Sequence, residues 1–319
     1  MLRGKVLVTG GSGFLGRGIL RRATKEKWPA EFTVYSRDEY KQDVCRRKYP
    51  HARYVLGSIT DTERLAITMA GHDTVIHAAA LKYIPEGEFN ASECVAVNVD
   101  GTRSIIKAAR QARIGRVVAI STDKAVHPIN VYGMTKALME RLMAEATTEG
   151  YTKFTTCRYG NVVGSTGSVI PVFLRQIREE GKVTITNPDM TRFWISVDEA
   201  VDLILLAHSV DCAPGATVIP EPRSMRLGEL ASALVGKYGT KGTRIEYIGM
   251  RAGEKLHEDL LHDQEALRTI AVEDHYQLLP VGTRMPAGLS MPSTLSSSSP
   301  KEWVTADKLV DMIEDAKCV

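Results

Sequence analysis

RVVAISTDKAVHPINVYGMTK, residues 116–136, is an apolar run, a polar turn and a helical pattern in succession. The apolar run predicts a short buried strand that ends at Ser121. Thr122, Asp123 and Lys124 then lie at the carboxyl end of that strand, where open α/β sheets bind their ligands. Asn130 is a good helix cap, which predicts a helix over 131–148.

A glycine-rich turn near the N-terminus indicates a nucleotide site. An apolar strand at 5–9 leads into GGSGFLG, residues 10–16, and an amphipathic helix follows. Glycines at 10, 13 and 16 let backbone N–H groups approach a pyrophosphate at a helix N-terminus. The spacing is common by chance, but its place between a strand and a helix predicts a dinucleotide loop. The residues expected to contact the cofactor here are Gly10, Ser12, Gly13, Phe14, Leu15 and Gly16.

The next predicted strand, 32–35, bears on the choice of dinucleotide. It is followed by Ser36, Arg37 and Asp38. Proteins that bind NAD usually place an acid at this strand end, whereas an arginine accommodates the 2′-phosphate of NADP. Ser36 and Arg37 therefore predict NADP. The alternative is a surface arginine paired with Asp38.

Strand and helix signals alternate through the first 150 residues, with strands at 54–56 and 74–77 besides those above, and a further strand follows at 154–158. The alternation predicts an α/β fold with a doubly wound parallel sheet, the Rossmann arrangement. Asn98, inside a predicted helix over 93–112, is expected to be a buried hydrogen-bonding residue. Further cofactor contacts are expected from Ser58, Ile59, Ala78, Ala79, Ala80 and Lys82. The alternative for the three alanines is tight packing between a strand and a helix.

The later part of the chain predicts a second unit. The cofactor domain is expected to span 1–165 and to regain 195–212. Residues 166–194 and 213–319 are expected to form a smaller C-terminal substrate-binding lobe that ends in a helix. Arg192, Arg251 and Lys255 are candidates for holding a diphosphate between the lobes.

Composition excludes several classes of function. A net charge of +3 over 319 residues gives no argument for nucleic acid as a partner. The chain contains no run of 18 apolar residues and does not start like a signal peptide, so no membrane segment is expected. Five scattered cysteines indicate reduced thiols and a cytoplasmic protein. Eight histidines without ligand spacing predict no metal site.

Tyr132 and Lys136 lie four residues apart on the helix after the polar turn, so both project from one face. The Lys136 amine is expected to lower the pKa of the phenol from about 10, so that Tyr132 accepts a proton near neutral pH. Lys136 is also expected to reach the nicotinamide ribose. Such a pair oxidises an alcohol by hydride transfer to NADP.

Taken together, the sequence resembles the extended short-chain dehydrogenases/reductases. Within them it resembles the UDP-N-acetylglucosamine 4,6-dehydratases (5-inverting) of pseudaminic acid and capsule pathways. The stretches that carry the resemblance are VTGGSGFLG (8–16), YSRDE (35–39), HAAALK (77–82), STDK (121–124), Tyr132 with Lys136, RYGNVVGS (158–165), MTRFW (190–194) and GEKLHE (253–258).

The resemblance implies a role for each residue of the turn. Tyr132 accepts the proton of the sugar 4-hydroxyl, and Lys124, as a neutral amine, removes the proton from carbon 5. Asp123 protonates the departing 6-hydroxyl, with Thr122 beside it. The nicotinamide cation and Lys136 are expected to lower the pKa of Lys124. The implied substrate-binding residues are Lys82, Thr122, Tyr159, Asn161, Val169, Arg192, Arg251 and Glu254.

The resemblance also implies a UDP-N-acetylhexosamine substrate and a homo-oligomer. Asp123-Lys124 favours the N-acetylhexosamine branch, because glucose-nucleotide dehydratases usually carry Asp-Glu there. Tyr132 favours inversion, because retaining relatives often have Met. Thr166 replaces a usual arginine in a loop that faces the substrate. The alternatives are a retaining 4,6-dehydratase, a nucleotide-sugar 4-epimerase and, more distantly, a non-catalytic NADP-binding regulator.

Overall fold

A sheet of nine strands crosses the computed structural model, which describes residues 1–148, 150–285 and 292–317. The strands, in chain order, are β1 (Gly4–Thr9), β2 (Ala30–Ser36), β3 (Arg53–Leu56), β4 (Thr74–His77), β5 (Arg116–Ile120), β6 (Lys153–Cys157), β7 (Asn161–Val162), β8 (Lys182–Ile185), β9 (Thr191–Ile195), β10 (Thr217–Pro220), β11 (Arg223–Arg226), β12 (Arg244–Tyr247), β13 (Asp259–Leu261), β14 (Thr269–Val272), β15 (His275–Leu278), β16 (Leu295–Ser296) and β17 (Glu302–Trp303). The helices are α1 (Phe14–Lys25), α2 (Glu39–Lys48), α3 (Thr62–Met69), α4 (Ile84–Phe89), α5 (Ala91–Val95), α6 (Gly101–Gln111), α7 (Val131–Ala146), α8 (Val169–Glu180), α9 (Val197–His208), α10 (Leu227–Tyr238), α11 (Asp263–Ala266) and α12 (Ala306–Lys317).

The order of the large sheet is β14-β15-β10-β6-β5-β4-β1-β2-β3. All pairings from β3 across to β10 are parallel, and the two that involve β15 are antiparallel. The chain runs outward from β1 to β2 and β3, then returns to β4 on the other side of β1. The order therefore reverses between β1 and β4, and a crevice at such a reversal is where these sheets bind ligands. The predicted doubly wound parallel sheet is confirmed.

Helices cover both faces of the sheet. On β1, Val6 and Val8 pack with α1 and α9, whereas Leu7 packs with α3, α6 and α7. All three side chains are almost fully buried. Successive strand residues point to opposite faces, so a continuously apolar strand needs cover on both sides.

A second core lies between α8, α10 and α12, where Phe173, Leu230 and Leu309 are buried. Strands β8 and β12 pair beside it, and β9 joins a separate four-stranded sheet with β7, β11 and β17. The residues of this core come mainly from the segments that were predicted to form the smaller lobe. The division of labour between a cofactor domain and a substrate lobe stays a prediction.

The assignment of all of 213–319 to the smaller lobe differs from the observed pairing. Strand β10 pairs with β6, and β15 and β14 continue the large sheet beyond it. The reason is that the edge of β6 would otherwise expose unpaired backbone groups, and these short strands satisfy it. Local sequence contains no signal for which edge a four-residue strand joins.

The predicted helix over 93–112 is an unbroken helical run made of α5, a π-helical turn (Ala96–Asp100) and α6. Asn98 lies in the π turn and is buried, as predicted. Its side chain bonds both the N–H and the carbonyl of Leu81 at 2.9 Å, and it donates to Thr135 at 3.0 Å. Asn98 therefore holds the segment after β4 against α7.

Smaller predictions also have outcomes. Helix α4 tolerates Pro85 because the proline lies in its first turn. The cysteines at 45, 94, 157 and 212 are buried and form no disulfide, and Cys318 lies outside the described residues. Within the described ranges, every helix is too short or too polar to cross a membrane.

Candidate active site

The glycine loop turns sharply between β1 and α1. Gly10 has a φ of 67°, the left-handed region that favours glycine. A Cβ on Gly16 would lie 2.2 Å from the carbonyl oxygen of Gly11, so no side chain fits there. Gly13 caps α1 without a side-chain hydrogen bond. The first N–H groups of the helix therefore have no internal acceptor, which suits a bound anion.

The residues after β4 lie against this loop. A Cβ on Gly10 would lie 2.9 Å from the backbone nitrogen of Ala79, and that N–H donates to Thr9 Oγ1 at 3.4 Å. The two backbones therefore meet where the strand order reverses. The small residues Ala78, Ala79 and Ala80 permit this approach.

The end of β2 presents a serine and an arginine. Asp38, the nearby acid, caps α2 by accepting from the Lys41 N–H at 2.9 Å and pairs with Lys41 Nζ at 3.0 Å. Arg37 is exposed and lies 3.7 Å from Glu93. Arg37 is therefore a surface arginine near Glu93 rather than paired with Asp38, and the choice between this interpretation and a phosphate contact stays open. Ser36, at the strand end, bonds Ser12 of the glycine loop at 2.9 Å.

Ser58 and Ile59 follow β3 at the edge of the crevice. Ser58 accepts from the Tyr35 hydroxyl through its carbonyl oxygen at 2.9 Å. Ile59 is buried, and its side chain packs against Gly101 at the start of α6. Lys82 is exposed beyond β4.

The turn after β5 gathers the predicted catalytic groups. Asp123 is fully buried, accepts from Thr122 Oγ1 at 2.9 Å and accepts from Lys124 Nζ at 2.9 Å. Its backbone N–H donates to the carbonyl of Tyr159 at 3.0 Å, which ties the turn to the end of β6. Asp123 Oδ2 is buried and has no hydrogen-bond partner among the described residues.

Glu258 is a member of this cluster that sequence reasoning missed. Its Oε1 lies 3.6 Å from Lys124 Nζ, and its side chain is only 4% exposed. Burial alone would lower the pKa of Lys124, but Asp123 and Glu258 outweigh it and hold that pKa above its ordinary value, while Arg192 opposes them. The groups of the protein therefore shift this pKa opposite to the predicted lowering, and the effect expected from the nicotinamide cation stays a prediction. Glu258 belongs to the quoted GEKLHE stretch, but nothing local indicates that it meets the turn.

Tyr132 and Lys136 lie in the first two turns of α7, which Asn130 caps by accepting from the Gly133 N–H at 2.8 Å. Burial raises the pKa of Tyr132 to about 12; the Lys124 charge and a hydrogen bond with Thr122 act against it. The expectation that Lys136 lowers this pKa is therefore wrong.

The pKa of Lys136 is lowered, whereas that of Tyr132 is raised. Burial lowers the pKa of its amine to about 8, with Glu140 opposing. The amine donates to Met139 Sδ at 3.1 Å. Its proton is therefore held loosely at neutral pH.

A buried network of ion pairs connects α7 to the segment after β6 and to α11. Arg158 bonds Glu140 of α7 at 2.5 Å and Glu265 of α11 at 2.7 Å. Glu140 also accepts from Ser121 Oγ at 2.5 Å. Removing one partner of such a buried group costs about 3–5 kcal/mol. The network thus fixes the end of β5, α7 and α11 relative to one another.

The predicted substrate-binding residues are spread over three segments around this centre. Tyr159 is buried at the end of β6, Asn161 begins β7, and Val169 begins α8. Asn161 Oδ1 is buried without a hydrogen-bond partner among the described residues. An unsatisfied amide oxygen of this kind is suited to a polar ligand.

The cationic candidates have different surroundings. Arg192 donates to the carbonyls of Lys255 at 2.9 Å and Leu256 at 3.2 Å, and Lys255 Nζ donates to the carbonyl of Val126 at 2.6 Å. Lys255 therefore links the two predicted lobes through the Val126 carbonyl, whereas Arg192 bonds carbonyls of its own predicted lobe. Arg251 is exposed, and its N–H donates to Glu254 at 3.2 Å. Of the three, Arg251 is the one that is exposed.

Two features lie outside the predicted site. His127, His262 and Asp263 bring potential ligand atoms within 4.8 Å of one another, a grouping that histidine spacing did not predict. A cavity of about 160 Å³, lined by Phe193 and Arg223 among others, contains none of the predicted site residues.

The fold and the site define an extended short-chain dehydrogenase/reductase: a doubly wound sheet, a glycine loop at a helix start, and a Tyr-x-x-x-Lys helix after β5. Residues 6–280 match the model of the polysaccharide biosynthesis protein family, and the chain belongs to that family.

Particular relatives are similar over most of the chain. A UDP-N-acetylglucosamine 4,6-dehydratase (inverting) of Campylobacter jejuni serotype O:2 is 38% identical over 86% of this chain and 82% of its own. That of serotype O:23/36 is 35% identical over 98% of both chains. A UDP-glucose 4-epimerase of Rickettsia bellii is 38% identical over 86% of this chain and 82% of its own.

Solved structures give the same fold. The X-ray structure of Pen from Bacillus thuringiensis has a TM-score of 0.90 at 31% identity, covering 99% of this chain and 98% of its own. The dTDP-glucose 4,6-dehydratase DesIV from Streptomyces venezuelae, solved with NAD and TYD bound, has a TM-score of 0.72 at 23% identity. It covers 79% of this chain and 86% of its own.

Proposed function

We propose that this protein is a nucleotide-sugar 4,6-dehydratase. It converts UDP-N-acetylglucosamine into a UDP-4-keto-6-deoxy-N-acetylhexosamine with inversion at carbon 5, and is in this sense a lyase. The observation that carries the proposal is the 2.9 Å bond from Lys124 Nζ to the buried carboxylate of Asp123, beside Tyr132. The two inverting dehydratases of Campylobacter jejuni, similar over most of the chain, support it.

A nicotinamide dinucleotide fits the crevice between β1 and β4. The backbone N–H groups at the start of α1 donate hydrogen bonds to its pyrophosphate. The backbones of Gly10 and Ala79 lie so close together that a side chain on Gly10 would clash with Ala79. NADP is favoured over NAD, because Asp38 is engaged with Lys41 while Arg37 is exposed.

A bound oxidised dinucleotide would supply a hydride acceptor for sugar carbon 4 and a hydride donor for carbon 6, and its nicotinamide ring would add a positive charge beside the sugar. Tyr132 accepts the proton of the 4-hydroxyl. Its pKa of about 12 makes it a strong base once ionised, and Lys124 and Thr122 favour that ionisation. Lys136, with a pKa lowered to about 8, is poised to exchange a proton at neutral pH.

Water elimination uses one proton that is already inside the site. Lys124 must be neutral to remove the carbon 5 proton, and Asp123 must be protonated to release the 6-hydroxyl as water. Transfer of a single proton along the Nζ–Oδ1 bond produces both states at once. Elimination then returns both residues to the ion pair, because Lys124 gains the carbon 5 proton as Asp123 gives its proton to the leaving oxygen.

Substrate contacts are proposed for Lys82, Tyr159, Asn161, Val169, Arg192, Arg251 and Glu254. Asn161, with its unsatisfied buried oxygen, is the residue among these that most needs a polar partner. Arg251 is proposed for the diphosphate. A homo-oligomer and a cytoplasmic location also stay predictions.

The 4-epimerase alternative is favoured by one observation, the similarity to the Rickettsia bellii enzyme of that name. An epimerase moves a hydride at carbon 4 and removes no water. It therefore has no use for a buried acid–base pair, and Asp123 with Lys124 counts against it. Tyr132 counts against a retaining dehydratase.

Incubation of the purified protein with UDP-N-acetylglucosamine separates these functions. Loss of one water by mass, with deuterium incorporated at carbon 5 in D₂O and couplings of the inverted sugar, is the expected result. An unchanged mass with a new hexosamine would establish the epimerase. Absence of turnover with bound NADP would leave a regulator.

A further inference from the structure

Glu258 is a buried carboxylate that packing alone does not explain. It lies just before β13 and is 3% exposed. Its backbone is fixed on both sides by Ser297: the Glu258 N–H donates to Ser297 Oγ, and the Ser297 N–H donates to the Glu258 carbonyl, both at 2.8 Å. The main chain therefore holds this residue in one place.

The carboxylate itself faces two amines. Oε1 lies 3.6 Å from Lys124 Nζ, and Oε2 lies 3.7 Å from Lys255 Nζ. Oε2 is buried and has no hydrogen-bond partner in the described part of the chain. A buried carboxylate without hydrogen bonds costs stability, so a purely structural residue at this position gains little from its charge.

We propose that Glu258 is a positioning residue for Lys124, holding its amine beside Asp123 and favouring the return of the proton to that amine. The proposal deepens the proposed function, since it takes Lys124 as the group that removes the carbon 5 proton. Lys255 belongs to the same arrangement, because it neutralises the outer oxygen of Glu258.

The charges around Lys124 come from four elements. Asp123 lies in the same turn, Glu258 precedes β13, Arg192 comes from β9, and Tyr132 faces it from α7. Burial lowers the pKa of Lys124, the two carboxylates raise it, and Arg192 lowers it. Asp123 cannot be both the acid and the lasting counter-charge, because it becomes neutral when it takes the Lys124 proton. Glu258 is the anion that remains.

The proton balance follows from this arrangement. After transfer from Nζ to Asp123, Lys124 is neutral and Glu258 keeps its charge, balanced by Lys255. The bond from carbon 5 to hydrogen then breaks, its proton goes to Nζ, and the electron pair forms the double bond to carbon 6 as water leaves. Glu258 stabilises the ammonium that appears at that moment.

Three variants of the full-length protein test the inference. Glu258→Gln keeps the shape of the side chain and removes its charge. Glu258→Asp keeps the charge but moves it away from Lys124, because the side chain is shorter. Glu229→Gln removes an exposed charge on α10 and is the control. Two quantities are measured across pH: labelling of Lys124 by acetic anhydride, read by peptide mass spectrometry, and kcat and KM for water loss.

Glu258→Gln should shift the Lys124 labelling midpoint down by about one to two pH units, because an opposite charge at this distance is removed. It should lower kcat by about 10- to 100-fold at nearly constant KM. Glu258→Asp should shift the midpoint less, in the same direction, and Glu229→Gln should match the wild type. If neither Glu258 variant moves the midpoint relative to Glu229→Gln, the inference is overturned.

Failure of the proposed function is recognised separately. If the wild type releases no water from UDP-N-acetylglucosamine, the dehydratase proposal falls, and the labelling midpoints still decide whether Glu258 controls Lys124. If Glu258→Gln fails to fold, Glu258→Asp alone decides, because an unshifted midpoint in that variant contradicts the coupling.

Discussion

The glycine loop after β1 and the charged turn after β5 lie two strands apart in one sheet, yet they are built in opposite ways. The loop depends on the absence of side chains: Gly10 lets its backbone approach that of Ala79, and Gly16 lets its backbone approach that of Gly11, more closely than any side chain permits. The turn works by buried ionisable groups that reach it from distant segments, such as Glu258. The turn at Gly16 therefore depends on residues of the loop itself, whereas the charges around Lys124 come in part from distant segments.

The largest expected effect is in the turn. Lys124→Ala should lower the rate of water loss by about 10²–10⁴-fold, the usual contribution of a general base, while NADP binding is retained. The steady-state rate and a cofactor titration measure the two properties. Lys237→Ala, on α10 and far from the turn in sequence, is the control. Water loss at the wild-type rate would mean that Lys124 is not the base.

Replacing Lys136, whose amine is buried near the turn, should stabilise the protein while abolishing water loss from the substrate. The pKa of Lys136 is lowered to about 8, so the folded state holds its proton less tightly than the unfolded chain. Below pH 8, Lys136→Met should raise the free energy of unfolding by on the order of 3 kcal/mol. The gain should disappear as pH rises from about 8 toward 10.5, because wild-type Lys136 is then neutral in both states.

Denaturant unfolding at several pH values checks this prediction. Lys107→Met, at an exposed position on α6, is the control and should show no such window. A Lys136→Met variant that is less stable than the wild type at pH 7 would contradict the claim that burial of the charged Lys136 amine destabilises the fold.

The glycine loop should respond to the smallest possible side chain. Gly16→Ala places a Cβ 2.2 Å from the Gly11 carbonyl oxygen, so it should cost about 1–3 kcal/mol of stability and weaken NADP binding. Gly236→Ala, in α10 with open space around it, is the matched control and should be neutral or slightly stabilising. Equal cofactor affinities for both variants would show that close backbone approach does not matter here.

The smallest effect concerns the choice of dinucleotide. Arg37→Ala should reduce the preference for NADP over NAD by about tenfold, since one exposed charge–phosphate contact is worth about 1.4 kcal/mol at most. Competition titrations with the two dinucleotides measure the ratio. Arg47→Ala, exposed on α2, should leave the ratio unchanged. An unchanged ratio in Arg37→Ala would remove the argument for NADP.

The same contrast explains what the sequence could predict. Caps and apolar runs are local, so the starts of α1 and α7 and the central strands follow directly from residues such as Asn130 and Val6. The pairing of β10 and β15 with the large sheet depends on which edge is open, which no local pattern states.

Protonation is predicted less well than position. The sequence places Asp123, Lys124 and Tyr132 together correctly, because they lie on one turn and one helix face. Lys136 was expected to lower the pKa of both Lys124 and Tyr132, but Asp123 and Glu258 raise that of Lys124, and burial raises that of Tyr132. Burial and the contact with Glu258 arise only when distant segments pack together.

The central claim, that Lys124 meets carbon 5 of the sugar, is tested most directly by a crystal structure with NADP and UDP-N-acetylglucosamine. The Tyr132→Phe variant would keep the substrate intact during the soak. The account predicts Lys124 Nζ within about 3.5 Å of carbon 5, on the side of Asp123, as a reacting pair requires. An amine directed away from the pyranose ring, with carbon 5 facing another side chain, would contradict it.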